Sequence, residues 1–270
     1  MNDYQKKLLH LMEKFHDLCL LYDLRYYVIG GTFLGTIRHG GFIPWDDDID
    51  VGMPRKDYRK LQNLLKASSG DYVLETPSST NKDYVYNMSK LFDSTTTVIE
   101  KTKHKARRGI FIDIFPLDGI GNTEEEVNRN FKSIYWLNMF IATRTSIPRS
   151  ERVWYKNVAI CLSSIIPEFL VNTKSLICKL DNMCAKYDFD DNDYVGVLLG
   201  AYGRRDIMKK SLLGNPTEYK FEEIVVFGPE KAEEFLTNVY GDWKKLPPVD
   251  KRKSGHDFSY IDLNHSYLEN

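Results

Sequence analysis

The sequence predicts an α+β protein, a mixed α/β sheet flanked by helices with an added helical region. Three observations support this prediction. In the first part of the chain, short apolar segments typical of strands alternate with helical patterns. Thr123 and Glu126 then form a capping-box signature, after which helical spacing dominates. Strand-like segments return near Val195. The predicted parts are a core at 1–122, a helical region at 123–190 and a mixed C-terminal part at 191–270.

The expected elements follow from apolar spacing and from helix and strand breakers. Asp3 is the expected cap of a first helix, whose apolar residues recur at helical spacing from Leu8 to Tyr22. Pro54 and Pro116 are expected to end the strands before them. The expected strands lie at 25–29, 48–51, 72–75, 85–92, 95–99, 110–115, 195–199 and 224–227, the last two returning to the sheet, with helices at 32–38, 57–66 and 229–240.

Composition excludes several classes of protein. The 270 residues include 37 Lys or Arg and 38 Asp or Glu, a net charge of −1, whereas a protein that coats nucleic acid is strongly basic. The four cysteines have no CxxC spacing, which disfavours structural zinc. The longest apolar run, at 158–166, is shorter than the roughly 20 residues that span a bilayer. Since residues 1–7 also lack a signal-peptide pattern, we expect a cytoplasmic protein without a bound nucleic acid.

The most informative segment is residues 45–52, with the sequence WDDDIDVG. On a strand, Asp48 and Asp50 share one face, while Ile49 and Val51 point to the core. Two carboxylates held side by side repel each other, so we expect a cation that neutralises them. Mg²⁺ prefers oxygen ligands from one or two carboxylates together with substrate phosphates. The segment therefore predicts a Mg²⁺ site, with Mn²⁺ as the alternative ion.

Two further segments extend this predicted site. In residues 109–116, GIFIDIFP, Asp113 interrupts an apolar strand, where an unpaired carboxylate is unfavourable. If that strand lies beside the acidic one, Asp113 becomes a third ligand, and three carboxylates suit two metal ions. Upstream, residues 30–32, GGT, follow a strand and precede a helix, where backbone N–H groups bind phosphate. Arg38 and His39 follow and are candidates to neutralise phosphate charge.

Two other motifs fit these segments less well. An EF-hand loop that begins at Asp46 would have Val51 where that loop needs Gly, and Asp57 where it needs Glu. Residues 30–35, GGTFLG, do not match the GxGxxG pattern of a dinucleotide site. An acidic surface turn is disfavoured because apolar residues alternate with the carboxylates.

In this order, the segments resemble the LicD family of phosphotransferases. The match is continuous over residues 28–50 and resumes at 111–118. Between them, Lys90 in the sequence MSKLFD resembles a family position. Residues 240–243, YGDW, followed by LPP, are similar to the closing motif of the family, although a smaller or different aromatic residue is common where Trp243 stands. The likeness extends over about residues 20–256, but residues 123–190 contain no family motif.

The resemblance implies a nucleotidyltransferase-like fold. It also implies transfer of a phospho-alcohol, typically phosphocholine from CDP-choline, to a hydroxyl of a cell-surface glycan or teichoic-acid precursor, with release of CMP. Fukutin-type relatives, similar at the acidic motif, move ribitol phosphate from CDP-ribitol. The implied metal ligands are Asp48, Asp50 and Asp113, and the predicted catalytic set adds Arg38 and His39. The predicted substrate-binding residues are Gly30, Gly31, Thr32, Lys90, Asp242 and His256.

Three other functions stay open at this point. A glycosyltransferase with a DxD motif would hold one metal ion, but the GGT segment and Asp113 argue against it. A nucleotidyltransferase that acts on a small phospho-acceptor would share the core fold and release pyrophosphate. A degenerate binding module would lack activity, although the three carboxylates argue against that reading.

The expected partners are a CDP-alcohol donor, a glycan or lipid-linked saccharide acceptor, and a peripheral contact with the inner membrane face. Two features bear on the membrane contact. A basic run at 101–108 is either a solvated loop or a loop that faces phosphate or membrane. The apolar helical stripes at 134–141 and 153–166 are either core or lie on a membrane surface.

Overall fold

The computed structural model describes residues 1–66, 70–81, 83–101, 106–150 and 152–269. Its helices are α1 (Asp3–Leu21), α2 (Gly30–His39), α3 (Arg55–Leu65), α4 (Glu124–Thr145), α5 (Trp154–Ile165), α6 (Thr173–Cys184), α7 (Lys210–Leu213) and α8 (Ala232–Tyr240). Its strands are β1 (Tyr27–Val28), β2 (Asp50–Pro54), β3 (Tyr72–Glu75), β4 (Ser89–Asp93), β5 (Thr97–Glu100), β6 (Arg107–Arg108), β7 (Phe111–Gly121), β8 (Tyr194–Gly196), β9 (Ile207–Lys209), β10 (Thr217–Phe221), β11 (Ile224–Gly228) and β12 (Phe258–Asp262).

A seven-stranded mixed sheet forms the centre of the molecule. Its main path is β1-β2-β7-β4-β3, and β8 and β9 extend it from the far end of β7. Strands β2 and β7 are parallel, whereas β4 pairs with β7 in the antiparallel direction. Two small sheets, β10-β11 and β12-β5-β6, lie outside this path. The predicted α+β class with a mixed sheet is therefore confirmed.

Strand β7 is longer than expected, because Pro116 does not end it. The N–H of Asp113 points toward β2, where it donates to the carbonyl of Ile49 at 2.9 Å. By alternation, residues 114 and 116 direct their backbone nitrogens to the β4 side. Strand β4 begins at Ser89, opposite Ile114, so no partner strand faces the nitrogen of Pro116. The proline therefore removes no hydrogen bond from the ladder.

Two further expectations are corrected by local hydrogen bonding. Asn2, and not Asp3, caps α1: its side chain accepts from the N–H of Gln5 in a capping box, which leaves Asp3 in the first turn. The segment at 224–227 does not return to the main sheet, since β11 pairs in full register with β10 as a hairpin. The capping box of Thr123 and Glu126 is confirmed at the start of α4.

The buried apolar side chains form two clusters. The larger one joins α1, the main sheet and the C-terminal α8, and it includes Phe15, Phe111 and Phe235. The smaller one lies between α4 and α6 and includes Ile134 and Ile141. The two ends of the stripe at 134–141 are therefore core, whereas Trp136 and Phe140 within it are exposed. The division of the chain at residues 122 and 190 stays a prediction.

Two observations bear on the membrane-related segments. Lys103, His104 and Lys105 of the basic run lie outside the described residues. Among the helices of the described ranges, none combines the length and the apolar character needed to cross a bilayer.

Candidate active site

Three charged side chains meet where β2, β7 and β4 run side by side. Asp50 is in register with Asp113 across the parallel pair of β2 and β7. Asp113 is in register with Lys90 across the antiparallel pair of β7 and β4. Adjacent strands lie about 4.8 Å apart, so these three residues form a row across the sheet. Asp113 was expected to lie near the other carboxylates only if its strand lay beside the acidic one. Strand β7 does lie beside β2.

Lys90 forms a buried ion pair with Asp113. Its Nζ lies 2.7 Å from Asp113 Oδ1, and both side chains are almost completely buried. The same ammonium lies 3.5 Å from the centre of the Phe111 ring and 4.6 Å from that of Tyr86. A buried lysine with a carboxylate and two ring faces around it is held firmly. Lys90 therefore holds Asp113 in place, and its predicted role in substrate binding stays a prediction.

Asp46, Asp47 and Asp48 precede the strand. Asp48 was expected on a strand at 48–51, but β2 begins at Asp50, because Asp50 is the first residue of the segment in register with β7. The chain comes to it from a turn at 44–45. The shared face of a strand therefore does not explain the proximity of Asp48 and Asp50. A loop brings them together instead.

These carboxylates are held in surroundings that oppose their ionisation. Burial, followed by the charge of Asp48, raises the pKa of Asp46 to about 8. Burial and the charges of Asp48 and Asp113 raise the pKa of Asp50 well above its usual range. A cluster of buried carboxylates that repel one another is the environment that a bound cation stabilises.

The residues at 30–32 fit closely against this acidic cluster. Gly30 and Gly31 lie inside the first turn of α2, and Gly30 has a φ of +57°. A Cβ at residue 30 would lie 2.8 Å from Asp50 Oδ2, and one at residue 31 would lie 2.7 Å from Asp46 Oδ2. The Thr32 hydroxyl accepts a 2.8 Å hydrogen bond from the N–H of Asp50. Because Gly30 and Gly31 have no side chain, the carboxylates of Asp50 and Asp46 can lie against the first turn of α2. The hydrogen bond to Thr32 holds the first residue of β2 in place.

The C-terminal segment closes over the cluster. Nδ1 of His256 lies 3.3 Å from Asp47 Oδ1 and 3.8 Å from Asp48 Oδ2. The His256 ring stacks on Phe258 of β12, which pairs with β5. Burial opposes the charge on His256, but the hydrogen bond to Asp47 raises its pKa. The structure therefore brings His256 to the acidic loop, from more than 200 residues away in sequence.

A second group of predicted residues lies at the end of α2. Nη1 of Arg38 donates to the carbonyl of Trp243 at 2.9 Å, which joins α2 to the closing motif. The His39 ring packs edge-on to Trp45, with ring centres 6.4 Å apart. Burial and the charge of Arg38 lower the pKa of His39. Asp242 is exposed, and no contact between its side chain and the acidic cluster is seen among the described residues.

Asp47 and Arg252 border the site, although neither is in the predicted catalytic, metal or substrate-binding set. Asp47 was quoted in the motif without a role, yet Asp47, Asp48 and His256 present ligand atoms within 4.8 Å of one another. Arg252 lies over the Trp45 ring at 5.4 Å. Basic residues after the Pro-Pro pair were the available signal, and His256 among them was predicted to bind substrate. Their distance in sequence from the acidic motif hid which residues they contact.

A buried ionic network supports the site from behind. Arg55, the first residue of α3, donates from Nε to Asp118 Oδ1 at 2.7 Å and from Nη2 to Asp118 Oδ2 at 2.6 Å. Its Nη1 donates to Asp181 of α6 at 2.6 Å. Since β2 ends one residue before Arg55 and β7 includes Asp118, this network ties the two acidic strands to α6. Asp118 of the 111–118 motif thus has a structural role.

The donor set suits a hard divalent cation. Carboxylate oxygens predominate, and a neutral or charged imidazole borders them. One edge is bounded by the positive end of α2. Two further cations lie nearby: Arg38 in the last turn of α2, which bonds to Trp243, and Arg252 in the C-terminal segment, which lies over Trp45. Such an arrangement can bind a metal ion together with a phosphorylated ligand.

Comparison with known proteins agrees with this geometry. Residues 23–151 match the LicD/FKTN/FKRP nucleotidyltransferase-domain family. Over 265 residues the chain is 30% identical to lipopolysaccharide cholinephosphotransferase LicD of Haemophilus influenzae, an alignment that covers 95% of this chain and 96% of that protein. A stretch of 52 residues is 42% identical to ribitol 5-phosphate transferase FKRP of human and mouse, covering 19% of this chain and 10% of FKRP. The chain therefore belongs to the LicD/FKTN/FKRP family and is a phosphotransferase.

Proposed function

We propose that this protein transfers a phospho-alcohol, with phosphocholine from CDP-choline as the first candidate, to a hydroxyl of a cell-surface glycan or teichoic-acid precursor. The observation that carries the proposal is the full-length likeness to a lipopolysaccharide cholinephosphotransferase in a chain whose acidic motif folds into one cluster. Ribitol or glycerol phosphate are the alternative groups, since FKRP is a ribitol 5-phosphate transferase.

In the proposed reaction the acceptor hydroxyl attacks the phosphorus that bears the alcohol. The new O–P bond forms while the bond to the bridging oxygen of the diphosphate breaks, and CMP leaves with that electron pair. The hydroxyl proton moves to a carboxylate. Reactions of this kind depend on positioning and charge neutralisation more than on covalent catalysis.

Asp113 is the proposed proton acceptor and the residue that orients the hydroxyl. Oδ2 is the oxygen proposed for this role, because Lys90 pairs with Oδ1 at 2.7 Å. Arg38 is proposed to contact phosphate oxygens, since its guanidinium lies near the end of α2 beside His39. Gly30 and Gly31 are proposed to direct the first N–H groups of α2 at a phosphate beside Asp50 and Asp46.

Asp48, Asp50 and Asp113 are the proposed ligands of Mg²⁺ or Mn²⁺, and Asp46 and Asp47 adjoin them. The raised pKa values of Asp46 and Asp50 support this assignment, because a cation relieves the repulsion that raises them. When bound, the metal would neutralise charge on the diphosphate and on the leaving group. Its ligands belong to one loop and two adjacent strands.

The acceptor is proposed to be a glycan precursor carried on a lipid at the inner face of the membrane, with the enzyme in the cytoplasm. The similarity to the lipopolysaccharide cholinephosphotransferase of Haemophilus influenzae supports this proposal, because lipopolysaccharide is a glycan that is bound to lipid.

The test is a thermal-shift series in Mg²⁺ with CDP-choline, CDP-ribitol, CDP-glycerol, UDP-glucose and ATP. A ligand that binds only the folded state raises Tm by mass action. We expect a metal-dependent rise with one CDP-alcohol, and loss of that rise in Asp48→Asn. Release of CMP on addition of acceptor then identifies the reaction. Stabilisation by UDP-glucose alone would favour a glycosyltransferase, and release of pyrophosphate a nucleotidyltransferase.

A further inference from the structure

We propose that α5 and the segment that follows it, to Leu170, bind the surface of an anionic membrane. This surface, here called the α5 face, is separate from the acidic cluster. It extends the proposed function by giving the enzyme a place beside a lipid-linked acceptor. The proposal is supported by the exposed apolar side chains of α5 and by the basic side chains beside them, independently of the proposed reaction.

Helix α5 presents its apolar stripe to solvent. Trp154, Val158, Leu162 and Ile165 are spaced by four, four and three residues, so they lie on one side of the helix. Trp154 and Ile165 are each 75% exposed, and Leu162 is 61% exposed. On the opposite side, Ile160 is buried against the rest of the protein. The stripe at 153–166 is therefore not core, although its spacing is that of a core helix.

The apolar surface continues beyond the helix. Phe169 is 85% exposed, and Leu170 beside it is also exposed. Toward α4, the exposed rings of Trp136 and Phe140 border a groove of about 740 Å³, whose other wall includes Leu162. A contiguous apolar surface on a helix that faces water marks an interaction site.

The charge around this face favours an anionic partner. Arg152 and Lys156 line the groove beside the apolar stripe. The one acid of residues 154–170, Glu168, is paired with the buried Arg144. Helix α5 itself contains Lys156 and no acidic residue. Basic side chains beside an apolar stripe are attracted to anionic lipid headgroups.

A second copy of the chain suits this surface less well. An interface between two α5 faces would bring Arg152 and Lys156 of one copy close to the same residues of the other, and like charges at an interface oppose association. The composition of the face matches a bilayer instead, because Trp154 and Tyr155 stand at one end of the stripe, as aromatic residues do at headgroup depth. Twelve residues rise about 18 Å, which is too short to cross, so the helix lies along the surface.

The test is co-sedimentation of the full chain with vesicles of phosphatidylcholine alone or mixed with phosphatidylglycerol. We expect binding to the mixed vesicles only, weakened by added salt. The double variant Leu162→Ser/Ile165→Ser should lower the partition coefficient about tenfold or more, because both side chains lose apolar burial in the lipid. Leu20→Ser/Leu21→Ser is the matched control, since these two exposed leucines end α1, and it should bind as the parent chain does.

Three results would overturn this inference. The first is absence of binding to the mixed vesicles. The second is equal binding by the α5 variant and the parent chain when both keep the same far-UV circular dichroism. The third is a dimer in sedimentation velocity that the α5 variant dissociates, which would assign the face to a second copy. The vesicle assay contains neither donor nor acceptor, so its outcome is independent of whether the transfer reaction is as proposed.

Discussion

Lys90 and Asp113 face each other across β4 and β7, with Nζ and Oδ1 2.7 Å apart and with both side chains buried. Asp113 is at the same time the register partner of Asp50 in β2. One carboxylate therefore stands between a fixed internal cation and a second carboxylate. The lysine offsets part of the negative charge that the sheet concentrates at this point.

Removal of the Lys90 ammonium should damage both stability and activity. In Lys90→Met, Asp113 is left buried without its cation, and breaking a buried pair in this way lowers the free energy of unfolding by about 3–5 kcal/mol. Urea denaturation measures this loss. The double variant Lys90→Met/Asp113→Asn should recover part of it, because no charge is then left unpaired. If the double variant is no more stable than Lys90→Met, the pair is not what stabilises the sheet here.

Asp50→Asn should separate stability from catalysis. Burial and neighbouring charges raise the pKa of Asp50, so its ionised form disfavours the folded state at neutral pH in the absence of metal. We expect the variant to melt higher than the parent in EDTA, to lose the stabilisation by Mg²⁺ and to lose transfer activity. Calorimetry with and without Mg²⁺ tests this. Near-normal activity would reject Asp50 as a metal ligand.

Arg55→Met should destabilise the protein strongly, since Asp118 would remain buried beside Asp181 without a guanidinium. The expected loss is about 3–5 kcal/mol in the free energy of unfolding. Lys56→Met is the matched control: Lys56 is the next residue of α3, its side chain is 63% exposed, and its ion pair with Asp188 is at the surface. The control should change stability by less than about 1 kcal/mol. Equal losses in both variants would contradict the assigned network.

Gly31→Ala should impair activity more than folding. The added Cβ would meet Asp46 Oδ2 at 2.7 Å, so the carboxylate must shift within the acidic cluster. A displacement of this kind can lower the rate on the order of 10²-fold, while circular dichroism stays the same. Gly70→Ala is the control, because no atom of the described residues lies within 4 Å of a Cβ built there. Full activity of Gly31→Ala would show that Asp46 tolerates displacement.

The sequence by itself determined the local features of this protein. Alternation of apolar and acidic residues identified Asp50 and Asp113 as carboxylates in buried strands, and the capping box of Thr123 and Glu126 identified the start of α4. Such signals are readable because they depend on residues a few positions apart, within one strand or one helical turn. The motif order was also sufficient to indicate the family.

The tertiary structure decided which distant groups meet. Three contacts depend on the order of the strands, which local periodicity does not encode. They are the ion pairs of Lys90 with Asp113, of His256 with Asp47 and of Arg55 with Asp118. The stripe of α5 shows the same limit. Spacing establishes that a helix has an apolar side, but only the packing of the other elements determines whether that side is covered.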